Sequence, residues 1–186
     1  MTVTAHAGQE NSYDRVRDCA TQAGVLRQVE FDAAASVWER TLRARGDSPS
    51  WSNPTPYVLT GAPGEPETAA LRWDWDTRKV DWFARWCERA LAGRFGVTWQ
   101  VRGDNLTSGG DAEYLLLTRD GQTERCDWRY LNQHRWAGAF CAIAERLLRP
   151  VGIAALELET GWFDVVICFC AATSADELSG WFAEAE

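Results

Sequence analysis

Polar side chains on a predicted β-hairpin are the residues of this sequence best placed to do chemistry together. Strands 113–119 and 122–130 flank Asp120-Gly121, a residue pair typical of a type I′ turn. Because side chains alternate along a strand, this turn predicts an apolar face with Leu115, Leu117, Cys126 and Trp128. The opposite, polar face carries Tyr114, Arg125, Asp127 and Arg129.

A second predicted hairpin, residues 153–170, adds a pair of carboxylates. Glu157 and Glu159 are two residues apart on its first strand and therefore share a face. If both hairpins belong to one sheet, these carboxylates meet the arginines of the first hairpin, and the site could perform acid–base chemistry or hold an anion. We favour a solvated face with ordinary ion pairs, which contribute little energy. An enzyme or small-ligand binder is the alternative hypothesis.

The cysteines and histidines have no spacing that completes a metal site or an activated nucleophile. Cys168 and Cys170 would point to one face of a strand, but a zinc site needs four ligands and no second such pair is present. No cysteine or serine pairs with His134 by a local signature. The sequence therefore predicts no metal, no cofactor and no disulfide, with Cys168 and Cys170 buried and slow to react.

Charge and composition narrow the class of protein. The 186 residues carry a net charge of −8, which argues against direct binding to nucleic acid or to an anionic membrane, since both require basic patches. The same acidity suits a basic protein partner. The longest apolar run, 165–172, is too short to span a bilayer, and the first residues do not resemble a signal peptide. We therefore expect a cytoplasmic protein.

Proline and glycine divide the chain into three parts. Residues 1–47 are predicted to form an N-terminal helical segment. Residues 48–67 hold five of the six prolines and form a connection in which only short extended pieces, such as 57–60, are expected. Residues 68–186 form the predicted α+β domain. The alternative is that all three parts belong to one compact domain.

From residue 77 onward the predicted order is helix, three strands, helix, two strands and helix. Meandering strands joined by short turns favour an α+β fold with one antiparallel sheet of about five strands and helices packed mainly on one face. The last strand, 164–170, is almost wholly apolar or thiol-bearing, as in a strand that is covered on both faces.

The register of the second hairpin completes the predicted core. A two-residue turn at Thr160-Gly161 would place Leu158 opposite Phe163 and Leu156 opposite Val165. Both leucines would then share one core with Ile167 and with the apolar stripes of the two long helices.

These observations favour a binding protein over an enzyme. Eleven tryptophans are unusual, and tryptophan is enriched among the anchors of binding surfaces. Our first hypothesis is a small acidic interaction module of the inhibitor or immunity type, which neutralises a basic partner such as a toxin or nuclease. Its candidate contacts are Trp82, Trp86, Asp104, Asp111, Glu157 and Glu159. A third hypothesis is a structural or regulatory subunit that pairs through exposed tryptophans.

Overall fold

The computed structural model describes residues 4–51, 54–63, 67–73, 80–104, 114–127, 133–159 and 165–182. These residues contain five α-helices: α1 Thr4–Gln22, α2 Gln28–Arg45, α3 Val80–Phe95, α4 Gln133–Leu148 and α5 Ala175–Phe182. They also contain six strands: β1 Ala70–Trp73, β2 Gln100–Asp104, β3 Tyr114–Arg119, β4 Gln122–Asp127, β5 Ile153–Glu159 and β6 Val165–Ala171. A 3₁₀ helix, Pro56–Thr60, occupies the stretch for which an extended piece was predicted.

The six strands form two antiparallel sheets of three strands each. Sheet 1 has the order β1-β6-β5, and sheet 2 has the order β2-β3-β4. The α+β class is confirmed, whereas the prediction of about five strands in a single sheet is not. The two predicted hairpins lie in different sheets because β6 takes β1, from far upstream, as its second neighbour.

Strand β6 is the centre of the fold and is buried on both of its faces, as its composition predicts. Val165, Ile167 and Phe169 face core 1, which lies between sheet 1, α3, α4 and sheet 2. Val166, Cys168 and Cys170 face core 2, which α1, α2 and α5 cover. Helices therefore cover both faces of sheet 1, which corrects the prediction that they pack mainly on one.

The register of the β5–β6 hairpin differs from the predicted one. Leu158 lies opposite Val166, Leu156 opposite Cys168, and Glu157 opposite Ile167. The shift along β6 is three residues, and an odd shift exchanges the two faces of a strand. Leu156 and Leu158 consequently pack in core 2, and Glu157 is turned toward core 1. The residues of the predicted turn, 160–161, lie outside the described part of the chain.

The first hairpin forms as predicted. Asp120 and Gly121 both have positive φ values, 49° and 78°, which is the backbone conformation of a type I′ turn. Leu115 lies opposite Cys126, and both side chains are buried. The apolar and polar faces of sheet 2 therefore follow directly from a local turn signal.

Backbone hydrogen bonds join the α1–α2 connection to sheet 1. The Ala69 N–H donates to the Val25 carbonyl oxygen and the Ala171 N–H donates to the Ala23 carbonyl oxygen, both at 2.8 Å. A buried ion pair adds a second link, because Glu30 of α2 accepts two hydrogen bonds from Arg94 of α3 at 2.8 and 3.0 Å. The N-terminal helices are thus tied to the sheet and to α3.

Candidate functional site

The combined polar face of both hairpins is not formed. Arg125 lies on sheet 2, while Glu157 and Glu159 lie on sheet 1. Glu157 is directed toward core 1, and Glu159 is exposed at the end of β5 opposite Val165. An arginine clamp facing a carboxylate pair is therefore absent among the described residues, and Arg129 lies outside them.

Three of the predicted ligand-site residues do share the outer face of sheet 2. The Arg125 guanidinium carbon is 3.2 Å from the centroid of the Tyr114 ring, so the two groups are stacked. Asp127 is exposed on the same face, opposite Tyr114. Stacking orients a guanidinium while leaving its N–H groups available to an anion or a carboxylate. This is an ordered polar surface but an open one.

Glu157 is a half-buried carboxylate in the interface between β5 and α4. Its Oε2 lies where a side chain on Gly138 would begin, 2.8 Å from an ideal Cβ at that position. Glycine at this point of α4 thus leaves room for the carboxylate. Burial, and secondarily the charge of Glu159, raises the pKa of Glu157 to about 7.

A concave site is formed by a cleft between α3 and strand β2. Its volume is about 410 Å³, and it is lined by Asp81, Ala84, Arg85, Glu88, Val101, Arg102 and Gly103. Glu88 reaches across it, and its Oε1 accepts a hydrogen bond from the Val101 N–H at 3.0 Å. The cleft combines two carboxylates, two guanidinium groups and main chain, so it suits recognition of a polar chain.

Trp82 and Trp86 of α3 have different environments although they are four residues apart. Trp82 is 40% exposed and directly follows Asp81, one of the lining residues of the cleft, along α3. Trp86 is buried and stacks on Phe169, with ring centroids 5.3 Å apart, so it is a core residue rather than a surface contact. Asp104, the last residue of β2, follows Gly103 of the cleft, and Asp111 lies outside the described residues.

All six cysteines are buried free thiols, and the predicted burial of Cys168 and Cys170 is confirmed. Burial, and secondarily the neighbouring Cys19, raises the pKa of Cys170 to about 12, so its reactive thiolate is scarce near neutral pH. In the described ranges, no three His, Cys, Asp or Glu side chains are arranged to hold a metal ion. Among the helices of those ranges, none has the length and apolar character that crossing a membrane requires.

Two features of the surface were missed by sequence reasoning. Residues 150–186 contain seven acidic and no basic residues, so they hold nearly the whole net charge, and counting charge by segment would have found this. The cleft itself has no sequence signal, because it depends on how α3 packs along β2. Without that packing, nothing in the sequence distinguishes Glu88 from the other glutamates of the predicted helices.

Comparisons of the chain with protein-family models, with curated proteins and with solved structures each return no match.

Proposed function

We propose that the protein works by binding another protein, through the surface that α3 and β2 form, with Trp82 as the hydrophobic anchor. The observation that carries this proposal is the 40% exposure of Trp82, which directly follows the cleft residue Asp81 in the sequence of α3. Tryptophan presents a large apolar area with a polar N–H at little cost in conformational entropy, and such residues dominate the energy of many interfaces. The cleft supplies groups that can orient a partner.

The charge distribution supports a basic partner. The acidic segment 150–186 folds into β5, β6 and α5, and its exposed described members are Glu159, Asp176 and Glu177. Strand β5 and helix α5 contact each other, so these carboxylates belong to neighbouring elements. A concentrated negative field accelerates encounter with a positive partner. This supports the inhibitor or immunity-type role, with a basic toxin or nuclease as the partner.

Six reduced, buried thiols support the cytoplasm as the place of action, because free cysteines persist in a reducing compartment. An inhibitor in the cytoplasm would bind its target in the cell that makes the target or in a cell that the target enters.

Affinity capture from the native host with three matched baits tests the proposal. The baits are the wild type, Trp82→Ala, and Val29→Ala as a control, since Val29 is an exposed apolar residue of α2 at 69%. We expect one protein to be retained by the wild type and by Val29→Ala but depleted on Trp82→Ala, and its activity to be blocked by the wild-type protein. Equal retention by all three baits would contradict the role of the α3–β2 surface.

A small-ligand binder is the second candidate, and the stacked Tyr114–Arg125 pair favours it. An anionic ligand would contact the free edge of the Arg125 guanidinium. Arg125→Gln would then abolish saturable binding of that ligand in a thermal-shift screen of anionic metabolites, while Trp82→Ala would leave it unchanged.

A further inference from the structure

The outer edge of β2 presents main-chain groups to the α3–β2 cleft. Among the described strands, β2 lies at the edge of sheet 2, and its Val101 N–H donates to a side chain, Glu88, rather than to β3. In an antiparallel pair, a residue whose N–H points away from its neighbour also points its C=O away, and such residues alternate. Val101 lies opposite Leu117 and Gly103 opposite Leu115, so Gly103 has the same outward orientation as Val101.

Glu88 stands where the carbonyl oxygen of a further strand would accept a hydrogen bond. Exposed edge strands need protection from pairing, and a carboxylate at the edge is one form of it. A side chain is displaced more easily than a covalently continuous strand. Gly103 at the same edge has no side chain, which allows another backbone to approach closely.

We propose that an extended segment of the protein partner adds to sheet 2 along β2 as a fourth strand. Its main chain would bond to the outward groups of Val101 and Gly103 and would displace Glu88, while the charged walls of the cleft would select its side chains. Strand addition of this kind takes affinity from the main chain and specificity from alternate side-chain sites. The inference rests on the proposed function and names how the partner is held.

A second copy of this chain is the competing occupant of the β2 edge. Each copy carries a net charge of −8, and like charges of this size oppose close association. A segment from a different, basic protein meets no such repulsion, so charge favours a partner over a second copy.

Gly103→Pro and Gly103→Ala form a matched pair for the test. Both add a side chain at one position, but only proline removes the outward N–H, and the hydrogen bonds to β3 are kept because they belong to alternate residues. The probe is a phage-displayed library of linear 12-residue peptides selected on the wild type, from which the strongest binder is synthesised. We expect Gly103→Pro to weaken its binding about tenfold relative to Gly103→Ala, the loss of roughly one hydrogen bond.

If Gly103→Pro unfolds, the same question is answered by methylating the backbone nitrogens of the peptide one at a time (an N-methyl scan) and measuring binding to the wild type. Methylation should abolish binding at every second peptide residue and leave the intervening residues unaffected, because only alternate N–H groups face the sheet. Equal binding by both Gly103 variants, an N-methyl scan without this alternation, or no saturable peptide would overturn the inference. A concentration-dependent dimer that Gly103→Pro dissolves would assign the edge to a second copy and also overturn it.

The two proposals fail in different ways. If Trp82→Ala loses the captured partner while Gly103→Pro retains it at wild-type affinity, the binding function stands and strand addition is wrong. If neither variant affects the partner, the α3–β2 surface is not the binding site.

Discussion

Two carboxylates that are turned away from solvent have opposite pKa shifts, and the difference lies in their neighbours. Burial alone would raise the pKa of Glu30, but hydrogen bonds from Arg94 and Arg27 lower it to about 2. Burial of Glu157 and the negative charge of Glu159 both disfavour its ionised form, so its pKa rises to about 7. Accompanying cations therefore decide whether a buried carboxylate stays charged at neutral pH.

Glu30 makes stability sensitive to acid. Its pKa is about 2 in the folded protein against an ordinary 4.5, so its contribution is fully present above pH 4.5 and is lost as pH falls toward 2. The shift corresponds to a stabilisation on the order of 3 kcal/mol. We expect Glu30→Gln to remove this part of the acid dependence in denaturant melts between pH 2 and 6.

Glu30→Gln should also destabilise the protein at pH 7. Arg94 is 12% exposed and would lose its charged partner, and breaking a buried pair costs about 3–5 kcal/mol. Glu145→Gln, which removes an exposed i,i+4 pair with Arg149, is the matched control and should cost under about 0.5 kcal/mol. Equal effects of the two variants on the denaturant midpoint would show that the Glu30–Arg94 pair contributes no more stability than an exposed pair.

Glu157 makes stability sensitive in the opposite direction. The folded protein holds a proton on this carboxyl up to about pH 7, whereas the unfolded chain releases it near 4.5. The free energy of unfolding should therefore fall as pH rises from 4.5 to 7. Glu157→Gln should flatten that slope, while Glu159→Gln, at an exposed position of the same strand, should largely keep it. An unchanged slope in Glu157→Gln would place the titration elsewhere.

Among the helices and strands, features set by a local sequence signal were predicted correctly. The pairing of strands that are distant in sequence was not. Asp120-Gly121 specifies its own turn, and the register of β3 and β4 follows from it. The β5–β6 register was predicted from a turn at Thr160-Gly161, and the observed pairing of Leu158 with Val166 differs from that register. The pairing of β1 with β6 joins distant parts of the chain, and no local pattern encodes it.

The candidate site was partly predictable for the same reason. Trp82 and Trp86 were both predicted as partner contacts, but the sequence alone could not say that Phe169 of β6 stacks on Trp86 while Trp82 stays 40% exposed. The alternation of β5 predicted that Glu157 and Glu159 share a face. Which face is buried depended on the register, and there the prediction was wrong.

Because the two cores lie on opposite sides of sheet 1, substitutions in one core and in the other should have additive effects on the free energy of unfolding. Phe140 of α4 packs in core 1 and Leu158 of β5 packs in core 2. Phe140→Ala should cost about 3–5 kcal/mol and Leu158→Ala about 2–5 kcal/mol. Because the two residues share no core, the double variant should equal their sum within about 0.5 kcal/mol in denaturant titrations. Coupling well above that would mean that both belong to one core.

At the scale of the whole molecule, nearly all net charge lies in the last 37 residues, while the other residues are close to neutral. This separation predicts that acidic residues act on the rate of association. Glu159→Gln should slow association with the captured partner and reduce its dependence on salt, since screening shortens the range of the field. Asp120→Asn, an exposed acidic position on sheet 2, is the control. Equal slowing by both variants would indicate a general effect of net charge.

The dissociation rate of the complex reports on binding through the α3–β2 surface. With the captured partner immobilised, surface plasmon resonance would compare wild type, Trp82→Ala and Val29→Ala. We expect Trp82→Ala to dissociate about tenfold faster or more, as for loss of a buried aromatic anchor, and Val29→Ala to match the wild type. A Trp82→Ala complex that dissociates at the wild-type rate would show that the α3–β2 surface does not hold the partner.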